Sequence, residues 1–171
     1  MMHTRSMKIL VVWASRHGST EEVANAIVEE LRAAGIDADI KKASEVTDIY
    51  GYDGFVLGSS VYMTQWEDSM RRFIKANQAE LFEKELWAFS VGLSGVQTGM
   101  PKDPVRVGPV LLRIEPRDHK TFAGRLQPRE LSLRERSIAR LGGAVEGDFR
   151  DWDEIRDWAR QVANDIKSLE R

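Results

Sequence analysis

Residues 7–14, MKILVVWA, are apolar except for Lys8. A run so continuous suits a strand covered on both faces, as in a parallel sheet flanked by helices. The period then changes. Val23, Ala24, Ile27, Val28, Leu31 and Ala34 recur at helical spacing, Ser19 and Glu22 have capping-box spacing ahead of them, and Gly35 is placed to end the helix.

The alternation of strand and helix signals continues along the chain. IDADIKKAS (36–44) alternates like a short peripheral strand, and GFVLGSS (54–60) reads as a central strand ending in small hydroxyl residues. QWEDSMRRFIKANQAEL (65–81) predicts a helix through Met70, Phe73 and Ile74, and ELWAFSVGL (85–93) a fourth strand that again ends in Ser and Gly. VRVGPVLLRI predicts a short helix, DHKTFAGRLQ (118–127) a fifth strand, and PRELSLRERSIARL (128–141) a helix with Pro128 near its start. LGGAVEGD reads as a loop. The closing helix has Asp151 and Glu154 at capping-box spacing and Trp152, Ile155, Trp158, Ala159, Val162 and Ile166 on one face. Five strands with covering helices predict an α/β fold, a doubly wound five-stranded parallel sheet with helices on both faces. With no internal repeat or long linker, residues 1–171 read as a single domain, with 1–6 a ragged start and Met7 an alternative first residue.

Composition narrows the chemistry. The chain has no cysteine, which excludes disulfides, thiolate metal sites and cysteine nucleophiles and suits a reducing cytoplasm. No apolar run approaches the roughly 20 residues of a membrane span. Net charge is −2, but residues 97–140 hold ten Lys/Arg against five Asp/Glu, leaving 15 cations against 22 acids elsewhere. That basic segment is either a face for an anionic partner or a solvated surface. With a pI near 6.0 and no basic-aromatic module, nucleic acid is not expected as a partner.

Three strand ends are chemically alike: Ser15-Arg16-His17-Gly18-Ser19-Thr20, Gly58-Ser59-Ser60-Val61-Tyr62 and Ser90-Val91-Gly92-Leu93-Ser94-Gly95. In open α/β sheets, ligands bind outside the carboxyl ends of strands where the strand order reverses. A strand-to-helix turn offers backbone N–H groups at the positive end of the helix dipole, which suits a phosphate. The hydroxyls of Ser15, Ser19 and Thr20 add donors, and Gly18 permits a backbone that a side chain obstructs. The same residues also serve as an ordinary helix cap. The turn has neither the Gly-Lys-Ser/Thr of a Walker loop nor a GxGxxG fingerprint.

SRHGST resembles the first loop of the flavodoxin family, Thr/Ser-x-Thr-Gly-x-Thr, at Ser15, Gly18 and Thr20, with His17 where that family usually has Thr. It is more similar to the loop Thr-Arg-Asp-Gly-x-Thr of flavodoxin-like menaquinone-dependent protoporphyrinogen oxidases, matching at Arg16, Gly18 and Thr20. GSSVYMTQWEDSMRRFIKANQAEL, FSVGL, GRL, GG and DWDEIRDWA resemble that group's later motifs in the same order. The resemblance implies a flavodoxin-like fold and FMN as cofactor. It puts the phosphate on Ser15, Arg16, His17, Gly18, Ser19 and Thr20, the ribityl chain and ring beside Ser59, Ser60, Val61 and Tyr62, and the ring's other edge along Ser90, Val91, Gly92, Leu93 and Gly95. Tyr62 and Trp66 are expected to stack on the isoalloxazine or simply to pack as half-buried aromatics. Arg16 and His17 either balance the phosphate or point to solvent.

The implied function is an FMN-dependent oxidoreductase of the protoporphyrinogen dehydrogenase type, passing electrons to a quinone or similar acceptor, with no catalytic residue assigned and no metal. The basic segment would then meet porphyrin carboxylates or an anionic membrane surface, giving a cytoplasmic protein with at most peripheral membrane contact. However, that group's helix in this region is aromatic and apolar, whereas PRELSLRERSIARLGG is mostly charged. Two alternatives stand beside it: a flavodoxin-type electron carrier docking on redox proteins, against which the near-neutral charge argues, and a flavin-free binding module.

Overall fold

The computed structural model describes residues 6–62, 65–92, 108–126, 132–135 and 147–170. Strand β1 (Lys8–Ala14) leads into helix α1 (Ser19–Ala33) and strand β2 (Asp37–Lys42). Strand β3 (Gly54–Tyr62) pairs antiparallel with the two-residue β4 (Gln65–Trp66), followed by α2 (Asp68–Ala76), α3 (Gln78–Phe82) and β5 (Glu85–Val91). Helix α4 (Gly108–Ile114) precedes β6 (His119–Phe122). The small ribbon β7 (Arg125–Leu126) and β8 (Gly147–Asp148) comes before the last helix, α5 (Trp152–Leu169).

The main sheet runs β2-β1-β3-β5-β6, all parallel along that path. Its order reverses at β1, between β2 on one side and β3 on the other. Successive side chains of β1 point to opposite faces, and each face is covered. Ile9 and Val11 join a core with Val56, Trp87, Phe89, α1 and α5, while Leu10 and Val12 join one with Phe55, Leu57, Trp66, Met70, Phe73 and Leu81. All four β1 residues are completely buried, as the unbroken apolar run predicts.

The structure departs from the sequence expectations in several places. The single helix expected over 65–81 is a strand followed by two helices, because Trp66 turns inward and because Asn77 bonds the Phe73 carbonyl through both its backbone N–H (3.2 Å) and its side chain (2.9 Å). A side chain that takes a backbone acceptor in this way competes with helix continuation. The fifth strand ends at Phe122, and Arg125–Leu126 leave the main sheet to pair with Gly147–Asp148, inside the stretch expected to be a loop. Trp152 lies outside the buried stripe of the last helix, 37% exposed with Arg150 over its ring, whereas Ile155, Trp158, Ala159, Val162 and Ile166 are buried. The expected cap of that helix is present, with Asp151 Oδ1 accepting from Glu154 N at 3.1 Å. Most of the helix expected over 128–141 lies outside the described residues. Within it, Ser132 heads a helical turn at 133–135.

Gly58 marks the tightest contact between strand and core. A Cβ built there lies 1.9 Å from the Phe89 ring, a residue that is itself fully buried. Gly58→Ala is expected to lower unfolding free energy by about 1–3 kcal/mol through overpacking, measured by urea denaturation; an unchanged midpoint would show that Phe89 has room to move.

Candidate functional site

The sheet register brings the three similar strand ends to one edge. Ala14 pairs with Ser59, and Ser59 with Ser90, so the carboxyl ends of β1, β3 and β5 lie side by side, with β3 running on through Tyr62. The first two flank the point where the strand order reverses, the place where such sheets bind ligands.

The first turn is closed by its own residues. Gly18 N–H donates to Ser15 Oγ at 2.8 Å, and Gly18 has φ of 86°, a left-handed conformation that glycine adopts without strain. Gly18, rather than Ser19, is the N-cap of α1, and among the described residues no side chain caps the first N–H groups of that helix. The expected Ser19–Glu22 capping box therefore does not form: the left-handed entry makes Ser19 the first helical residue, and it is buried. Thr20 is completely buried, and its hydroxyl has no hydrogen-bond partner among the described residues. A buried hydroxyl without a partner is costly, so its position invites an acceptor from outside the chain.

Arg16 and His17 do not point freely to solvent. Both reach Glu135, a residue 118 positions from His17, and share one carboxylate oxygen: Arg16 Nε lies 2.7 Å and His17 Nε2 3.0 Å from Glu135 Oε2. Arg16 also covers the Tyr62 ring, 4.0 Å from its centroid, which links the first and second strand ends. Glu135 is fixed by a capping box, its N–H donating to Ser132 Oγ and its Oε1 accepting from Ser132 N–H, both at 3.1 Å. Burial acts to raise the Glu135 carboxyl, but hydrogen bonds from the Ser132 N–H, His17 and the Ser132 side chain outweigh it and hold it below the usual carboxylate range.

The hydroxyls at the other two strand ends are spent inside the protein. Ser59, fully buried, donates to Ser60 O at 2.9 Å and accepts from Glu67 N–H at 2.8 Å, closing the β3–β4 hairpin. Ser60 Oγ reaches Glu67 Oε1 at 3.3 Å. Ser90, also fully buried, accepts from Trp66 Nε1 at 2.8 Å and lies 2.8 Å from His119 Nε2. Trp66 is only 1% exposed, so it is core and unavailable for stacking on a ligand. Val61 packs against the core, Val91 is buried, and Gly92 N–H donates to Phe122 O at 2.9 Å. Leu93 and Gly95 lie outside the described residues.

Sequence reasoning missed Glu67, Glu135 and His119. Ser132 and Glu135 have capping-box spacing, a signal for the turn though not for its contact with His17. Part of the basic segment is matched by acids elsewhere in the chain. Of its described cations Arg113, Arg117, Lys120, Arg125 and Arg134, three pair with acids outside it: Arg117 with Glu85 (3.0 Å) and Asp165 (3.7 Å), Lys120 with Glu154 (3.4 Å), and Arg125 with Glu22 (3.7 Å). No helix among the described residues is long and apolar enough to cross a membrane.

The flavodoxin domain model matches residues 10–153, and the chain belongs to that family. It is 24% identical to protoporphyrinogen IX dehydrogenase [quinone] of Escherichia coli (strain K12), over 92% of this chain and 96% of that protein. Among solved structures, an archaeal flavodoxin superposes with a TM-score of 0.59 at 14% identity, covering 94% of this chain and 99% of that one. The Streptococcus pneumoniae TIGR4 flavodoxin does so with a TM-score of 0.58 at 18% identity, covering 94% and 98%. The class is thus defined: an FMN-binding, flavodoxin-like oxidoreductase.

Two outcomes are expected of the site itself. Thr20→Val removes the unpartnered hydroxyl, so the FMN-free protein should gain about 1 kcal/mol of stability; a loss in urea denaturation would mean the hydroxyl has a partner in solution. A carboxyl whose folded pKa is depressed stabilises the fold above its unfolded value of about 4, and this contribution is lost as pH falls through the lower folded value. Glu135→Gln should therefore flatten the fall in stability on acidification below about pH 5, and an unaltered acid limb would contradict the depressed Glu135 carboxyl.

Proposed function

We propose that this protein is a dehydrogenase of the protoporphyrinogen IX type that passes electrons to a quinone. The observation that carries the cofactor site is the Thr20 hydroxyl, buried and unpartnered behind a left-handed Gly18 at the reversal of strand order. The N–H groups at the uncapped start of α1 and the hydroxyls around it match the acceptor oxygens of a phosphate monoester. Ser15, Arg16, His17, Gly18, Ser19 and Thr20 would hold the phosphate. Ser59, Ser60, Val61 and Tyr62 would border the ribityl chain and ring, and Ser90, Val91, Gly92, Leu93 and Gly95 the ring's other edge.

Ser59 and Ser90 act here through backbone, since their hydroxyls are already used within the protein. The Ser59–Glu67 bond fixes the β3–β4 hairpin, and the Trp66–Ser90 bond fixes the β5 end to it, so two walls of the site hold one geometry. Tyr62 is the aromatic at this edge with partly exposed surface, and Arg16 over its ring keeps it in place. When bound, FMN would supply the redox chemistry between the reduced porphyrin precursor and the quinone. The chain supplies position and electrostatics. The substrate and acceptor rest on the similarity to the Escherichia coli dehydrogenase.

The purified protein should bind FMN, and Thr20→Val, by deleting a hydrogen bond to a charged group worth about 2 kcal/mol, should weaken binding roughly thirty-fold. Under anaerobic conditions, protoporphyrinogen IX should bleach the flavin absorbance of the loaded protein, and a menaquinone analogue should restore it. Flavin that protoporphyrinogen leaves oxidised would remove the substrate assignment while leaving the cofactor site standing.

A further inference from the structure

The first loop carries its own counter-ion. Arg16 offers a positive charge beside the turn, yet the Glu135 carboxylate meets it at 2.7 Å and meets His17 at 3.0 Å through the same oxygen. The Glu135 side chain is 13% exposed and is held from behind by reciprocal bonds with Ser132, unlike a fluctuating surface pair. Among the described residues of the start of α1, the charged groups are Glu21, which is exposed, and Glu22, which is engaged by Arg150 and Arg125. Arg16 and Glu135 therefore cancel.

Resting on the phosphate reading of this loop, we propose that Glu135 is a specificity-determining residue. It keeps the cradle near neutral, so that a phosphate monoester is held by N–H and hydroxyl donors of fixed direction instead of by net positive charge. Hydrogen bonds are directional and require the oxygen atoms of a fitted group, whereas a net cation attracts any polyanion. An uncompensated Arg16 and His17 would draw inorganic phosphates and nucleotides to the same turn. With Glu135 in place, selection passes to the fit of one phosphate under Gly18 and Thr20, together with whatever the second and third strand ends hold.

The test is a calorimetric or fluorescence titration of the full chain with FMN, riboflavin and inorganic pyrophosphate, at low and high salt, for wild type, Glu135→Gln, Arg16→Gln and the double variant. Glutamine preserves the capping-box bonds while removing the charge. Wild type should bind FMN with little salt dependence. Glu135→Gln should bind FMN about five-fold more tightly at low salt, lose that gain at high salt, bind riboflavin unchanged, and become sensitive to competition by pyrophosphate. Arg16→Gln should weaken FMN, and the double variant should return to near the wild-type value, because the charge sum is restored. FMN binding that is unchanged or weaker in Glu135→Gln at low salt, or a double variant no better than Arg16→Gln, would overturn the proposal and leave Glu135 a positioning residue for Arg16. If instead Thr20→Val leaves FMN affinity unchanged, the phosphate reading fails first, and the proposal falls with it.

Discussion

The parallel hydrogen-bond ladder holds Ala14, Ser59 and Ser90 side by side across the sheet and so brings the carboxyl ends of three strands to one edge. Everything at the site follows from that register. A slip of one residue would turn the buried Ile9 and Val11 toward the wrong helices and exchange the two cores, so apolar packing on both faces fixes the ladder. The same packing fixes where each turn starts. Because β1 lies at the reversal of order, the turn that follows it is open above the sheet, with α1 pointing its N-terminus there.

Electrostatics in this protein is mostly a matter of internal compensation. Arg117, Lys120 and Arg125 of the basic segment meet acids of β5, α5 and α1, and buried Arg150 joins Asp148 and Glu22 where the β7–β8 ribbon meets α1. Asp148 is held below the usual carboxylate range chiefly by the Arg150 hydrogen bonds, with burial opposing. Among the described residues, part of the charge asymmetry along the sequence is a folding complementarity: these cations lie against acids distant in sequence. The Arg16–His17–Glu135 cluster is the same device placed at the first loop, where we propose that it sets what kind of anion the loop prefers.

The sheet, the first and last helices and the three loops were legible in the sequence because their signals are local: an apolar run, a helical period, Gly18 and hydroxyls at strand ends. What escaped depends on groups far apart in the chain. The Glu135 contact closes over 118 residues, and no spacing rule links the two. The Trp66–Ser90–His119 chain joins three elements through side chains whose direction is decided by the sheet's alternation. For the same reason Ser59 and Ser90, which read as ligand hydroxyls, are buried and spent on closing the loops, and Trp66, for which stacking and packing both stood, is core. The helix break at Asn77 turned on a single side chain taking a carbonyl, an event that apolar periodicity does not register.

The central claim is that the cofactor phosphate lies in the turn after β1. Amide chemical-shift mapping of the isotope-labelled protein during FMN titration tests it most directly. The account predicts that the largest shifts fall on the amides of 15–20, followed by 59–62 and 90–92, with residues at the far ends of the strands unmoved. Shifts centred instead on the cleft of about 360 Å³ lined by Glu22, Asn25, Glu29, Arg150, Trp152 and Arg156 would contradict it.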